Sequence, residues 1–337
     1  MRWTPLHAHF DQGLRQRNLL PRSQPVLLAF SGGQDSLCLL RLLLDLQPKW
    51  GWQLGVAHCD HRWPPDSTAN ATYVSALVQA WNLPLYVRMA PAVLKTEAAG
   101  RDWRYGVLRD LAETEGYPTV VTAHTASDRA ETLLYNLVRG SGMEGLQALT
   151  WQRSLSATVS LVRPLLNVTR AQTGAFCTAL SLSPWQDSMN QDLAYRRNRM
   201  RQQVLPLLRS QFNPQVDRAL ARTAELLQAD VAYLDGVAQA CLKRALPAAH
   251  PDPPQHPALH RPTLRRVPLA LQRRVVRQFL QTEVLAAPNF DQVETVVALL
   301  DAPQRSRTAP LVANWIAEVQ RDWLCLIALA GEVIRST

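Results

Sequence analysis

The chain has 337 residues, 47% hydrophobic and 19% charged, and its 36 Lys and Arg outweigh 27 Asp and Glu to give a net charge of +9. That length favours two domains with ample core. The lack of any run of 18 apolar residues argues against a membrane-spanning helix, and an N-terminus without the apolar centre of a secretory signal leaves the cytoplasm as the expected compartment.

Five cysteines, an odd number with no CxxC pair, argue against a disulfide framework or a zinc site. Nearly all the positive charge is Arg, since only Lys49, Lys95 and Lys243 are lysines. A basic balance of this kind favours a polyanionic partner, because Arg grips phosphate with a forked pair of donors.

In chain order, Pro25 to Phe30 (PVLLAF) is apolar throughout and too short for a helix, so it reads as a strand buried on both faces. Ser36 to Leu46 is long, Leu-rich and free of Gly and Pro, and reads as a helix. The turn between them is Ser31, Gly32, Gly33, Gln34, Asp35, Ser36. Glycines there permit positive φ and a close backbone approach, and the first helix amides point outward unpaired, which suits an anion. An ordinary turn whose Ser and Asp cap the helix satisfies the same local pattern. GxxxxGK[ST] and GxGxxG are both absent, so neither a Walker-type NTPase nor a Rossmann dehydrogenase is indicated.

Strands are expected at Trp52 to Asp60, Pro84 to Ala90 and Thr119 to His124, alternating with helices at Ser67 to Asn82, Glu97 to Glu115 and Asp128 to Arg139. This alternation predicts an α/β fold with a doubly wound parallel sheet. Ligands of such sheets sit at the carboxyl ends of strands, which gathers Ser31, His58, His61 and His124 on one edge. Asp128 follows His124 by four residues and Glu131 lies one turn further on, so both can face the same site as Asp35. Taken alone, His124 and Asp128 read equally as a strand-end His and a capping Asp. Arg101 and Arg104 share one helix face, either toward a ligand or toward solvent. Gly140 and Gly142 end a helix as a C-cap or as a flexible substrate loop. Thr158 to Leu166 adds a strand, and a helix follows from Arg170.

From Ala194 to Arg222 the chain carries seven Arg and one Asp. A long helix is expected from Gln215 to Leu246, then a proline-rich linker over 247–262, then helices at Leu269 to Thr282 and Phe290 to Leu300. Short strands are expected near Trp315 and at Asp322 to Ala330. His250, His256 and His260 lack the Cys or helical spacing of a metal site. The expected domains are 1–210 and a smaller, mainly helical 211–337.

SGGQDS at 31–36 resembles the PP-loop of the ATP pyrophosphatases, which split ATP between its α and β phosphates and keep AMP on the substrate. VAHCDHRWPPDS (56–67), EAAGRDWRYGVL (97–108), AHTASDRAETLLYNLVRGSGMEGL (123–146), RPLLNVTR (163–170) and DSMNQDLAYRRNRMRQQVLPLL (187–208) follow in order. On these motifs the chain is similar to the tRNA(Ile)-lysidine synthetase family across most of 24–222, and its remainder is similar to the helical second domain of the shorter members. The resemblance implies ATP-dependent attachment of free lysine to C2 of the wobble cytidine in a tRNA(Ile) with a CAU anticodon, through an adenylated cytidine, changing its specificity from methionine to isoleucine. It implies ATP binding by Ser31, Gly32, Gly33, Gln34, Asp35 and Ser36, and catalysis by Asp35, Arg104, His124 and Asp128. Asp35 is the expected Mg²⁺ ligand, tRNA contacts are expected at Arg196, Arg197, Arg199 and Arg201, and a homodimer fits the family habit. Thr125 and Ser127 stand where the family usually has a second His and a second Asp, Ser127 removing a possible metal ligand. Arg129 replaces a common Gln and Gly100 an Ala. Three rival readings are a tRNA thiolase, which needs cysteines to carry sulfur or hold a cluster, a non-catalytic tRNA-binding protein, and a small-molecule adenylating synthetase.

Overall fold

The computed structural model describes residues 3–62, 67–93, 96–186, 196–249, 254–284 and 287–329. His250, Trp63 to Asp66 and the Asp187 to Tyr195 part of the last PP-loop-family motif lie outside them. The chain packs as two compact units, 1–228 and 229–337.

In the first unit, strands β1 (Pro25–Ala29), β2 (Gln53–Asp60), β3 (Leu85–Met89), β4 (Thr119–Val121), β5 (Gln152–Ser154) and β6 (Ser160–Val162) form one sheet in the order β3-β2-β1-β4-β6-β5. All pairs are parallel except β5 with β6. Strand side chains alternate between faces, so Val26 and Leu28 join one core while Leu27 joins another. The first core is closed by α1 (Pro5–Arg17), α2 (Gln34–Trp50), α3 (Ser67–Ala80) and later α7 (Arg170–Ala179), and the second by α4 (Glu97–Glu115). Because both faces are covered, β1 reads as an unbroken apolar run. Gly55 of β2 permits the closest approach, since a Cβ there would lie 2.2 Å from the Tyr117 hydroxyl.

Further along come α5 (Ala126–Val138), α6 (Met143–Leu146), α8 (Arg196–Arg199), a π-helical turn (Met200–Val204), α9 (Leu205–Gln211) and the long α10 (Val216–Ala245). The expected boundary at 210 falls inside the first unit. The reason is polar: Glu225 pairs with Arg17 and Arg129, and the Gln228 amide donates to the carbonyls of Gln147 and Leu149. β5 and α1 are among the elements that lie outside the expectations from sequence. β5 has no apolar residue and is exposed throughout. α1 is held by buried His7, whose Nε2 meets Asp45 at 3.0 Å.

The second unit combines a three-stranded antiparallel sheet, β7 (Ala258–His260), β9 (Trp323–Ala328) and β8 (Trp315–Gln320) in that spatial order, with α11 (Arg261–Arg265), α12 (Leu269–Val284) and α13 (Phe290–Ala298). The segment expected to be a linker over 247–262 therefore contributes β7. Ala258 and Leu259 are fully buried there, and the prolines only flank the strand. No helix among the described residues is long and apolar enough to cross a membrane.

Candidate active site

β1 is flanked by β2 on one side and β4 on the other, so the order of winding reverses beside it. Such a reversal opens a crevice at the carboxyl ends of the strands. A cleft of about 390 Å³ lies there, lined among others by Ser31, Asp35, His58, Arg104, His124 and Asp128. It thus gathers the residues expected on that edge, His61 included.

The floor is the turn from β1 into α2. Gly32 has φ +82°, and a Cβ there would press on Asn70, Tyr73 and Val74 at 3.2 Å each. Gly33 caps α2 without a side-chain bond. The amides of Gln34, Asp35 and Ser36 open the helix, where no intrahelical carbonyl can reach them. The hydroxyls of Ser31 and Ser36 meet at 3.1 Å, and the Gly33 amide donates to Ser31 Oγ at 3.3 Å. Amides, hydroxyls and the positive end of α2 converge without a lysine, which is an anion cradle. The Gln34 side chain has another task, donating to the Arg170 carbonyl (2.7 Å) and Thr173 Oγ1 (2.8 Å), so it ties α2 to α7.

Asp35 is buried beneath this cradle. Its carboxylate accepts from Thr173 Oγ1 and pairs with Arg170 Nε at 3.1 Å. Burial raises its pKa, Arg170 opposes that, and the neighbouring Asp128 carboxylate reinforces it. Asp128 closes a capping box at the start of α5, accepting from the Thr125 amide (2.8 Å) and hydroxyl (2.7 Å). Burial pushes its pKa up, but Arg170 and, after it, Arg201 outweigh burial and hold it down.

β4 ends at Val121, so His124 sits in the loop beyond it, with Nδ1 2.9 Å from the Thr122 hydroxyl. Burial first, and then Arg163, Arg104 and Arg101, press its pKa down to about 3 against the pull of Asp128. It is a neutral imidazole. His61 is likewise held down to about 4, by burial and by Arg104. His58 donates from Nδ1 to the Phe30 carbonyl at 2.9 Å, with burial lowering its pKa.

The basic stretch divides. Arg196 and Arg199 are exposed on α8 and Arg197 is half-buried. Arg201, expected at the RNA, turns inward instead: its Nε and Nη2 donate to the two Glu131 oxygens at 2.7 and 2.8 Å, and Nη2 also to Asp128 Oδ1 at 3.3 Å. Glu131 is 4% exposed, and its carboxylate draws the nearest guanidinium into the fold.

The unusual residues of α5 all have structural partners. Thr125 caps the helix, and Ser127 donates to Asp217 at 2.9 Å and accepts from the Arg170 amide. Arg129 is buried and donates to Glu225 at 3.0 Å. Sequence reasoning missed Arg170, Thr173 and Trp185. Arg170 stood in sight at the end of RPLLNVTR, but nothing local to α7 tells that it docks on Asp35. Trp185 lines the cleft because its amide donates to the Gly32 carbonyl at 3.0 Å, a contact across more than 150 residues.

A family model for the PP-loop domain matches residues 6–208, and one for the TilS substrate binding domain matches 259–324. The tRNA(Ile)-lysidine synthase of Nostoc sp. is 51% identical over 335 residues, covering 97% of this chain and 98% of its own. That of Synechocystis sp. is 47% identical over 330 residues, covering 96% and 98%. Among solved structures, the U34-tRNA thiolase NcsA from Methanococcus maripaludis with its [4Fe-4S] cluster superposes with a TM-score of 0.55 at 15% identity, covering 66% of this chain and 78% of that one. That likeness is one of fold.

Proposed function

The chain belongs to the tRNA(Ile)-lysidine synthase family, an ATP-using ligase family of tRNA processing, and on that premise we propose that it joins lysine to C2 of the anticodon wobble cytidine of tRNA(Ile) through an adenylated intermediate. The observation that carries the reading is the anion cradle at the start of α2 with buried Asp35 under it.

The cytidine O2 attacks the α phosphate of ATP, forming an O–P bond as the bond to the β phosphate breaks. Pyrophosphate leaves into the amides of Gln34, Asp35 and Ser36 and the hydroxyls of Ser31 and Ser36, where preorganised donors stabilise the developing charge. Arg104 and Arg170 line the same cleft and add positive charge. The lysine ε-amine, having lost its ammonium proton to solvent, then forms a bond to C2 as the C2–O bond breaks, AMP leaves, and the proton that the new C–N nitrogen sheds passes to water. His124 and Asp128, both with depressed pKa, are poorly matched to take a proton from an amine whose pKa is about 10.4. Their part is to hold the site's geometry, His124 as a neutral hydrogen-bonding group.

Mg²⁺, which the PP-loop family implies, suits Asp35 and Asp128, because this ion takes one or two carboxylates together with phosphate oxygens. The mutual repulsion that helps raise the Asp35 pKa is what a divalent cation relieves. Phosphate oxygens and water would complete the ligand set. When bound, the ion offsets charge on the departing pyrophosphate.

Sulfur transfer is the less supported reading. Burial lifts the Cys59 thiol, the one in the cleft, to about 11, far from the thiolate that sulfur chemistry requires. Incubation with ATP, Mg²⁺, labelled lysine and tRNA(Ile) with a CAU anticodon tests the proposal. Label is expected in RNA with the wild type and lost in Asp35→Ala. No label with folded wild-type protein overturns it.

A further inference from the structure

In the first unit, α1, α5 and α10 are joined by charge around the Trp151 indole. The guanidinium of Arg17, at the end of α1, lies 4.2 Å from the Trp151 ring centre, and that of Arg129, on α5, lies 5.8 Å from it. Glu225 of α10 accepts from Arg17 Nη2 at 2.8 Å and from Arg129 Nη1 at 3.0 Å. Arg163, just past β6, donates its amide to the Trp151 carbonyl at 2.8 Å and its Nη1 to the Thr150 carbonyl at 2.7 Å. Arg129 is 1% exposed and Arg163 2%. Among the described residues, Glu225 is the one carboxylate that pairs with any of these three arginines.

Four buried donors in this cluster, Arg129 Nε and Nη2, Trp151 Nε1 and Arg163 Nε, have no hydrogen-bond partner among the described residues. On Arg129 the two orphans form one edge of the guanidinium, the fork that grips an acceptor side-on. Arg41, Arg201 and Arg273 close that same edge on Asp45, Glu131 and Glu294, every bond between 2.6 and 2.9 Å. Arg129 holds it inside the fold with nothing to accept from it. Three guanidiniums against one carboxylate also leave the cluster positive, and a buried charge without a full complement of partners is costly. Burial, with Arg17 and Arg163 behind it, works against the charge on Arg129, and Glu225 only partly offsets them.

We infer that the Nε–Nη2 edge of Arg129, with Trp151 Nε1 as a further donor, binds a small monovalent inorganic anion, chloride or a compact oxyanion such as nitrate, inside the first unit. The orphaned atoms are closed to solvent, which limits the ligand to a few atoms. All of them are donors. A water among them gains acceptors for neither of its own hydrogens and brings no charge, whereas an anion accepts every bond and offsets the guanidiniums. Gln, the residue usual at this position in the family, has neither the fork nor the charge, so the site goes with this chain's own departure at Arg129. Bound there, the anion fastens α5, which carries Asp128 to the cleft, against α1 and α10.

The test is anion binding by the full chain at constant ionic strength, with chloride or nitrate replacing gluconate, which is too large for the interior. Chlorine NMR line width reads binding directly, and the thermal midpoint reads it through linkage. The wild type should broaden the chloride line, nitrate should reverse the broadening, and the midpoint should rise by about 3–5 °C for each tenfold increase in anion above its Kd. Arg129→Gln, and Arg129→Lys, which keeps the charge but loses the fork, should lose both responses. Trp151→Phe keeps the ring beside Arg17 and removes one donor, so it should weaken binding by about tenfold. A wild type that gives no broadening and the same midpoint in all three anions overturns the inference, and the donors are then met by water. Equal responses in wild type and Arg129→Gln place the anion elsewhere and overturn it too. If the Arg129 variants lose their native far-UV spectrum, Trp151→Phe decides, and unchanged affinity there overturns the inference.

Discussion

Replacing Arg201 by Ala separates an internal strut from an RNA contact. In the structure its guanidinium bridges both oxygens of Glu131, a side chain 5% exposed, while Arg201 itself is 24% exposed. Removing one partner of a buried pair strands the other charge, at a cost of about 3–5 kcal/mol, and the partial exposure of Arg201 puts this case near about 3. For a unit of 228 residues, each kcal/mol moves the melting temperature by about 2–4 °C, so a drop of about 6–12 °C is expected. The loss should also depend on pH. Burial already raises the Glu131 pKa above its ordinary 4.5, with Arg201 opposing, and removing Arg201 raises it further. Between 4.5 and that raised value the folded state holds a proton that the unfolded state has released, so stability falls as pH rises. The variant should therefore lie nearer to wild type at pH 5 than at pH 8. Thermal melts at both pH values, with Glu131→Gln and the double variant closing the cycle, make the measurement. A melt within 2 °C of wild type, together with a tRNA salt slope lower by about 0.7–0.9, would refute the reasoning and return Arg201 to the RNA.

Gly32→Ala forces a side chain into left-handed backbone and against three neighbours at 3.2 Å, so pyrophosphate release should fall by about 10²-fold or more, as for loss of a preorganised donor, while the far-UV spectrum stays native. Unchanged release in a steady-state assay would show that the turn need not hold this shape. His124 is neutral down to about pH 3, so kcat/KM for lysine should show no inflection at the ordinary His value of 6.5. It should instead climb about tenfold per pH unit from 6 to 9 as the neutral amine increases. A bell with an acid limb near 6.5 would mean that His124 titrates in the working range.

These expectations give the unusual residues of α5 a physical reading. Thr125, Ser127 and Arg129 are engaged in a helix cap, a link from α5 to Asp217 and Arg170, and an ion pair with Glu225. Their departure from the family pattern leaves Asp35, Arg104, His124 and Asp128 in the cleft. A non-catalytic reading built on those departures loses its motive, because the changed positions serve the scaffold.

Local pattern determined a good deal. PVLLAF reads as a buried strand, the Leu-rich run after Asp35 as a helix, and SGGQDS between them as a turn, whose free amides the structure then separates from a capped one. These follow from periodicity and from backbone freedom within a few residues. The winding order then put His58, His61 and His124 on the same edge as Ser31. Tertiary structure alone decided which charges meet. Arg170 reaches Asp35 across 135 residues, Arg201 leaves the solvent for Glu131, and a proline-flanked segment becomes β7. Sequence spacing carries no information about such pairs, since a guanidinium has no periodicity and its place is set by whichever buried carboxylate the packing brings within about 3 Å.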